Sequence, residues 1–268
     1  MNPKPPSGRQ PSPGLSHHTD AHAANEVPRP VSAFARKDKA GHLIKPHAHG
    51  RDQLIYAIRG VMTIQALDSI WTIPSHYSLW IPAFVEHSVK MDTEVEMRTL
   101  YLQPGIVKTA SNECQVRAVS PLLRELIIRS MGIPPLYSEK SADGRLMQVI
   151  VDEIHQQQKM PFSLKLPTDR RLVQIAHELL NTLDETVPIA VLGKKAGLSE
   201  RSIIRLFPLE TGLTFHQWRQ QARLMRAFVL AEEGKSIGLI AHELGYSNTS
   251  AFAKMFRKMF NQSPREIL

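Results

Sequence analysis

The sequence predicts an α+β protein in two parts: an N-terminal β-barrel of short antiparallel strands, then an all-α domain with two helix-turn-helix units. Three observations carry this. Short runs rich in β-branched and aromatic residues, separated by turn signals, fill residues 42–102, as in a small barrel or jelly roll. After Pro104-Gly105 the apolar spacing takes the helical period. Finally, IAVLGKKAGLSERS (Ile189 to Ser202) recurs in constant register as IGLIAHELGYSNTS (Ile237 to Ser250).

Residues 1–30 scatter Pro3, Pro5, Pro6, Pro11, Pro13, Pro28 and Pro30 among Ser, Gly and His. With almost nothing apolar to bury, this stretch reads as a disordered tail, and His17, His18 and His22 as bystanders. Residues 31–110 form the β domain, with runs HLIKP, QLIYAIR, VMTIQAL, IWTIP, YSLWI and EVEMRTLYL, a tight hairpin at Arg59-Gly60 and a corner at Pro74-Ser75. Residues 111–166 read as a helical linker. Ser120 caps a helix with Pro121 at its first position, a face of Leu122, Leu123, Leu126 and Ile127, and an end at Met131-Gly132. A second helix from Asp143 places Leu146, Val149, Ile150 and Ile154 together, and this pair offers a face to a second protomer. Pro161 and Pro167 bracket an extended connection. Residues 167–268 form the second, helical domain: Thr168 caps a helix with Leu172, Ile175, Ala176, Leu179 and Leu180 inward, and Pro188 starts the first repeat.

The repeated positions are those a helix-turn-helix constrains. Gly193 and Ala241 sit where two helices cross closely, Gly197 and Gly245 end the first helix in a turn that favours positive φ, and Ser199 and Ser247 are placed as N-caps of the second. Trp218, Phe228, Phe252 and Phe256, at helical spacing, are core residues.

The chain of 268 residues carries a net charge of +8. From Ile189 onward twelve Lys or Arg face six Glu, so most of the excess lies in the repeat region and points to a polyanion, double-stranded DNA. One cysteine, Cys114, excludes an intramolecular disulfide and fits a reducing compartment. No run is long enough for a membrane span and the Pro-rich start lacks a secretory h-region, so a cytoplasmic protein without a membrane partner is expected.

In each repeat the second helix is the one that enters the major groove. Ile203, Leu206 and Phe207 form the buried face of the first, leaving Arg201 and Arg205 to reach guanine O6 and N7, with Ile204 beside them for a thymine methyl. In the other, Phe252, Met255, Phe256 and Phe260 turn inward. Asn248, Thr249, Ser250 and Lys254 face out, and Arg257 and Lys258 lie where phosphate contacts fall. A helix from Phe215 to Glu232 spaces the two readers.

These residues resemble the AraC family of transcriptional regulators. GYSNTSAFAKMFRKMFNQSPREIL (Gly245 to Leu268), AGLSERSIIRLF and ETGLTFHQW are similar to the family's tandem helix-turn-helix domain, over about Thr168 to Leu268. Pro208 is a departure, and a proline there predicts that the first recognition helix ends early or bends. Upstream, Gly41, His47, His49, Gln53 and Gly60 resemble the first motif of a cupin, with Gln53 where the usual residue is Glu, and Pro74, Pro82 and His87 resemble the second. The resemblance implies a ligand-sensing, dimerising cupin-like domain on a DNA reader. It brings His87 across to His47 and His49. Three imidazoles with Gln53 suit a divalent transition metal, the loss of the carboxylate weakening its hold; the alternative is a metal-free polar pocket. The expected effector site is lined by His47, His49, Gln53, Tyr56, Trp80 and His87. Partners implied are double-stranded DNA, a small-molecule effector, a second copy of the chain and, for an activator, RNA polymerase.

Two other function classes compete. One is a cupin metalloenzyme with an attached helical nucleic-acid-binding domain; the other is a scaffold whose basic helices bind nucleic acid without sequence preference. Neither accounts for the doubled helix-turn-helix. His177-Glu178 and His242-Glu243 start like a zinc-protease motif, but Asn181 and Tyr246 stand where its second histidine belongs. No phosphate loop or nucleophile elbow is present, and no enzymatic activity is expected.

Overall fold

The computed structural model describes residues 21–108, 113–157, 159–160, 163–182 and 187–268. Its strands are β1 (Val31–Asp38), β2 (Leu43–His47), β3 (Asp52–Arg59), β4 (Met62–Ala66), β5 (Ser69–Ile73), β6 (Tyr77–Ile81), β7 (His87–Met91), β8 (Val95–Leu102), β9 (Gln115–Ala118), β10 (Lys159–Met160) and β11 (Leu164–Lys165). They form two antiparallel sheets in the orders β1-β8-β3-β6-β9-β10 and β11-β5-β4-β7-β2. The helices are α1 (Ala21–Asn25), α2 (Pro121–Ser130), α3 (Ala142–Gln156), α4 (Arg170–Thr182), α5 (Ile189–Ala196), α6 (Glu200–Thr211), α7 (Phe215–Glu232), α8 (Ile237–Glu243), α9 (Thr249–Phe260) and α10 (Pro264–Ile267).

Strand alternation divides the larger sheet into two buried faces. Ile55 and Ala57 of β3, Leu79 and Ile81 of β6 and Met97 of β8 turn inward and meet Ile64, Ile73, Val89 and Met91 of the second sheet. The alternate set, Leu54, Tyr56, Trp80, Leu100 and Leu102, lies under α2 and α3, against Leu123, Ile127, Met147, Ile150 and Val151. The helical connection is therefore a lid on the outer face of the barrel. Two short strands, β9 and β10, also arise in the stretch expected to be helical, and β11 forms in the extended piece expected between Pro161 and Pro167; together they extend both sheets.

The expectation of a disordered tail to residue 30 is corrected over residues 21–30: α1 forms, Ala24 and Val27 are buried, and the buried Arg51 guanidinium donates to the carbonyls of Val27 (2.9 Å) and Pro30 (3.0 Å). Such a polar clamp fixes a segment with little apolar surface of its own. His17 and His18 lie outside the described residues, as does Pro161. The inward stripes of the connecting helices shift slightly. Leu122 and Val149 are exposed, and Met147 and Val151 complete the buried stripe of α3. Ser120 caps α2 as expected, its hydroxyl accepting from the Leu123 N–H at 3.1 Å.

In the C-terminal domain a Cβ on Gly193 would drive into the Leu198 carbonyl, and Gly197 and Gly245 have φ of +67° and +71°. Ser199 caps α6, accepting from Ser202 N–H. Three expectations change. Asn248, not Ser247, caps α9, accepting from Ala251 N–H at 2.8 Å; an asparagine serves this role as well as a serine, so the second unit starts its reader one residue later. Asp169, not Thr168, precedes α4 and accepts from Arg171 N–H, while Thr168 and Asp169 both donate their N–H to Glu210 Oε2 (2.6 and 2.8 Å). Helix α6 also runs through Pro208 to Thr211 rather than ending early. The proline removes one N–H bond, and the helix is held regardless by the fully buried Ile203 and Phe207.

The two parts share a core. A continuous apolar cluster runs from the barrel interior through Ile70, Leu164 and Leu166 to Leu172, Trp218 and Phe256. Trp218 Nε1 donates to the Lys165 carbonyl (2.7 Å), and Tyr77 donates its hydroxyl to Gln262 Oε1 (3.2 Å).

Candidate effector pocket and nucleic-acid interface

His47 ends β2 opposite His87 at the start of β7, across a bulge in β2. His49 follows in the loop to β3, and the three rings gather with centroids 4.4 to 6.0 Å apart, one ligand atom of each within 4.8 Å of the others. Each ring is oriented in the same way. Nδ1 of His47, His49 and His87 donates to the carbonyl of Lys45 (2.9 Å), Arg51 (2.8 Å) and Val85 (2.9 Å). A carbonyl can only accept, so in the neutral ring the lone pair is left on Nε2. The buried Nε2 of His87 has no hydrogen-bond partner.

Gln53 completes the group. Thr99 spends its hydroxyl proton on the Leu54 carbonyl (3.2 Å) and accepts from Gln53 Nε2 (3.0 Å), which leaves Gln53 Oε1 facing His49 Nε2 at 3.1 Å. Two lone-pair atoms at that distance repel unless a proton or a cation lies between them. Adjacent ligands about 2.1 Å from one ion at near right angles stand roughly 3 Å apart, so the donor set and its spacing fit a divalent transition metal.

The other two residues expected in this pocket are elsewhere. Tyr56 and Trp80 lie on the opposite face of the sheet, packed with Leu54 and Leu100 under the helices. Tyr56 is an odd number of residues from Gln53 on β3, so alternation sends it the other way. Two residues not anticipated do approach the site: Thr99, and Tyr101, whose ring stands edge-on to His49 with centroids 5.1 Å apart. The alternating run EVEMRTLYL held that signal, since Met97, Thr99 and Tyr101 share a face.

Burial pushes the His87 imidazole down to about 4 and lowers His49 as well, with the Gln53 contact opposing. In the metal-free protein the unfolded chain thus takes up the proton first. Stability contributed here is intact above about pH 6.5 and is lost as the pH falls toward about 4. Melts of metal-free protein between pH 7.5 and 5 should show that decline, and His87→Gln, which cannot titrate, should flatten it; an identical slope in the variant would exclude His87 as its source.

At the other end of the molecule, α6 exposes Arg201, Ile204 and Arg205 while Ile203 and Phe207 are buried and Leu206 is half-buried. On α9, Thr249, Ser250, Lys254, Arg257 and Lys258 are exposed over a buried face of Phe252, Phe256 and Phe260, with Met255 partly buried. Asn248 is exposed too, but its Oδ1 is engaged in the cap. Lys195 and Lys235 are held by Glu178 and Glu243 at 2.5 and 2.7 Å. Among the described residues, Arg201, Arg205, Lys254 and Lys258 have no such acidic partner. Helix α7 joins the two units over 18 residues, a rod of roughly 27 Å, with Trp218 and Phe228 buried as expected.

Residues 29–200 match the family model of an AraC-like ligand binding domain, and residues 192–268 match that of a helix-turn-helix domain. The chain is 35% identical over 226 residues to the HTH-type transcriptional regulator NimR of Escherichia coli K12, covering 81% of this chain and 80% of that protein. It is 25% identical over 222 residues to the probable transcriptional regulator LumQ of Photobacterium leiognathi, covering 81% and 89%. The HTH-type transcriptional activator RhaS of Citrobacter koseri is 32% identical over 100 residues, 37% of this chain and 36% of that one.

Proposed function

The chain belongs to the AraC family of transcriptional regulators, and from that premise we propose where this sequence-specific DNA-binding protein holds its small effector and how it reads its operator. The effector seats at the Nε2 atoms of His47, His49 and His87 with Gln53, Thr99 and Tyr101 around it. A divalent transition metal held by the three histidines and Gln53 would offer a Lewis-acidic anchor for the effector's donor atom. The site senses and does not turn over substrate.

In the reader, Arg201 and Arg205 contact guanines and Ile204 a thymine methyl, because α6 presents all three over a rigid core. On α9, Thr249, Ser250 and Lys254 lie at the groove, Arg257 and Lys258 meet phosphates, and Asn248 contributes its cap and an amide edge. The observation that carries this reading is the pair of exposed basic helix faces joined by one continuous helix, on which Arg201, Arg205, Lys254 and Lys258 have no acidic partner among the described residues. The sensing domain takes in the connection beyond residue 110, since β9, β10 and β11 pair into the barrel's sheets and α2 and α3 cover its outer face, and the reader lies beyond about residue 166. Exposed Leu122 and Val149 on the outer helices support a homodimer through that face. An activating role would add RNA polymerase as a partner. Among the described residues no helix is long and apolar enough to cross a membrane, which supports a cytoplasmic setting.

Operator fragments selected from genomic DNA by the full chain provide the test. Arg205→Ala should lower specific affinity by about 1–3 kcal/mol and relax one base position, leaving random-duplex binding nearly unchanged. Unaltered affinity and preference in gel shifts would remove α6 as the sequence reader.

A further inference from the structure

Helices α6 and α9 start from equivalent caps, Ser199 and Asn248, and bury equivalent stripes: Ile203, Phe207 and Thr211 in one, Phe252, Phe256 and Phe260 in the other. Aligning the two caps therefore brings the readers into register. At about 100° per residue, the direction opposite each stripe falls between Arg205 and Leu209 in α6 and between Lys254 and Lys258 in α9. The two helices then differ on the face that meets DNA. Arg205 and Lys254 are both cations, but the next turn holds Arg257 and Lys258 in α9 against Pro208 and Leu209 in α6. Leu209 is 72% exposed, whereas none of the large apolar side chains of α9 is exposed.

A lone exposed leucine is ordinary on a protein surface. This one stands in the middle of the face that the paired helix fills with cations, where it can neither pair with a phosphate nor hydrogen-bond a base edge. The C5 methyl of thymine is the apolar group that the major groove offers, and covering it removes apolar surface from water on both partners. Leu209 lies one turn, about 6 Å, beyond Arg205, with Pro208 beside it and the exposed Ile204 one turn back from Pro208. We propose that Leu209 is a specificity-determining residue of the DNA reader: it reads a thymine methyl past the guanines contacted by Arg201 and Arg205, so the two readers hold their half-sites unequally. At the same turn α9 grips phosphates, which adds affinity for any duplex, and α6 adds preference instead. This rests on the reading of α6 and α9 as the helices that enter the groove.

The operator recovered by the full chain is resynthesised with deoxyuridine replacing one thymidine at a time, which deletes the C5 methyl and keeps the base pairing. Gel shifts at several salt concentrations compare the natural sequence with Ile204→Ala, Leu209→Ala, Leu209→Lys and Arg205→Ala. Two thymines should each lose about threefold or more in affinity when demethylated, one becoming insensitive in Ile204→Ala and the other in Leu209→Ala. Leu209→Lys should bind random duplex more tightly and steepen the slope of log K against log salt by about one, as a new phosphate contact does. Both changes at residue 209 are on the surface and should keep the melting temperature within about 2 °C; a larger drop would make Leu209 a packing residue and overturn the proposal. It is also overturned if the second methyl penalty is missing or survives in Leu209→Ala, or if Leu209→Lys leaves the salt slope unchanged, which would place residue 209 away from the DNA. Should Arg205→Ala bind and discriminate as the natural chain does, α6 is not the reader and this inference falls with that reading. A changed guanine preference in Arg205→Ala with no effect at Leu209 overturns this inference alone.

Discussion

Replacing Trp218 with alanine should destabilise the protein by about 3–5 kcal/mol, among the largest single-residue losses the fold offers. The indole is fully buried, with Phe207 against it at a centroid distance of 5.6 Å, and its N–H satisfies the Lys165 carbonyl. Truncation would leave a cavity between α6 and α7 and also strip a donor from β11, which is paired to β5 of the barrel. The second loss can be separated from the first. Trp218→Phe retains most of the packing but no N–H, so it should cost the hydrogen-bond share, about 1–3 kcal/mol. Denaturant unfolding with near-UV detection of both variants checks the pair; a Trp218→Ala loss below about 1 kcal/mol would show that the interface can repack around the gap.

The second large effect is expected at the histidines. His87→Ala should weaken Zn²⁺ or Co²⁺ binding more than about a hundredfold, exceeding the 10- to 100-fold typical for residues that only support a ligand. His87 is the deepest of the three, its Nε2 lacks a protein partner, and its orientation is set by the Val85 carbonyl. Gln53→Glu should act in the opposite direction by restoring a carboxylate beside His49. Calorimetry on metal-stripped protein measures both. If the natural chain takes up no stoichiometric metal at micromolar concentration, the cluster binds its ligand through the imidazoles alone.

Much of the helical half was legible because its constraints are local. A glycine at a close crossing, a glycine at positive φ and a serine at a cap each leave a residue-level mark, and Gly193, Gly197, Gly245 and Ser199 stand as read. Where the mark was ambiguous the reading slipped by one residue, as between Ser247 and Asn248. The sheets were less legible, since pairing is not written locally. β1, VSAFARKD, and β7, HSVKM, mix apolar and charged residues and pass for loops until β8 and β4 are placed beside them. The histidine site followed from motif spacing, and Thr99 and Tyr101 would have followed from alternation along β8. Assigning Tyr56 and Trp80 to the pocket ignored that same alternation.

The strand Leu164–Lys165 belongs by hydrogen bonding to the barrel and by side-chain packing to the helices, with Leu164 and Leu166 buried and Trp218 fastened to its backbone. The seam where the protein would be divided for a chimera is thus not at Thr168. A reader transplanted onto a foreign sensor must carry residues 163–167 along, or its tryptophan arrives facing solvent with no acceptor. Evolution by exchange of modules faces the same restriction, so recombination within this lineage should favour breakpoints on the barrel side of that short strand.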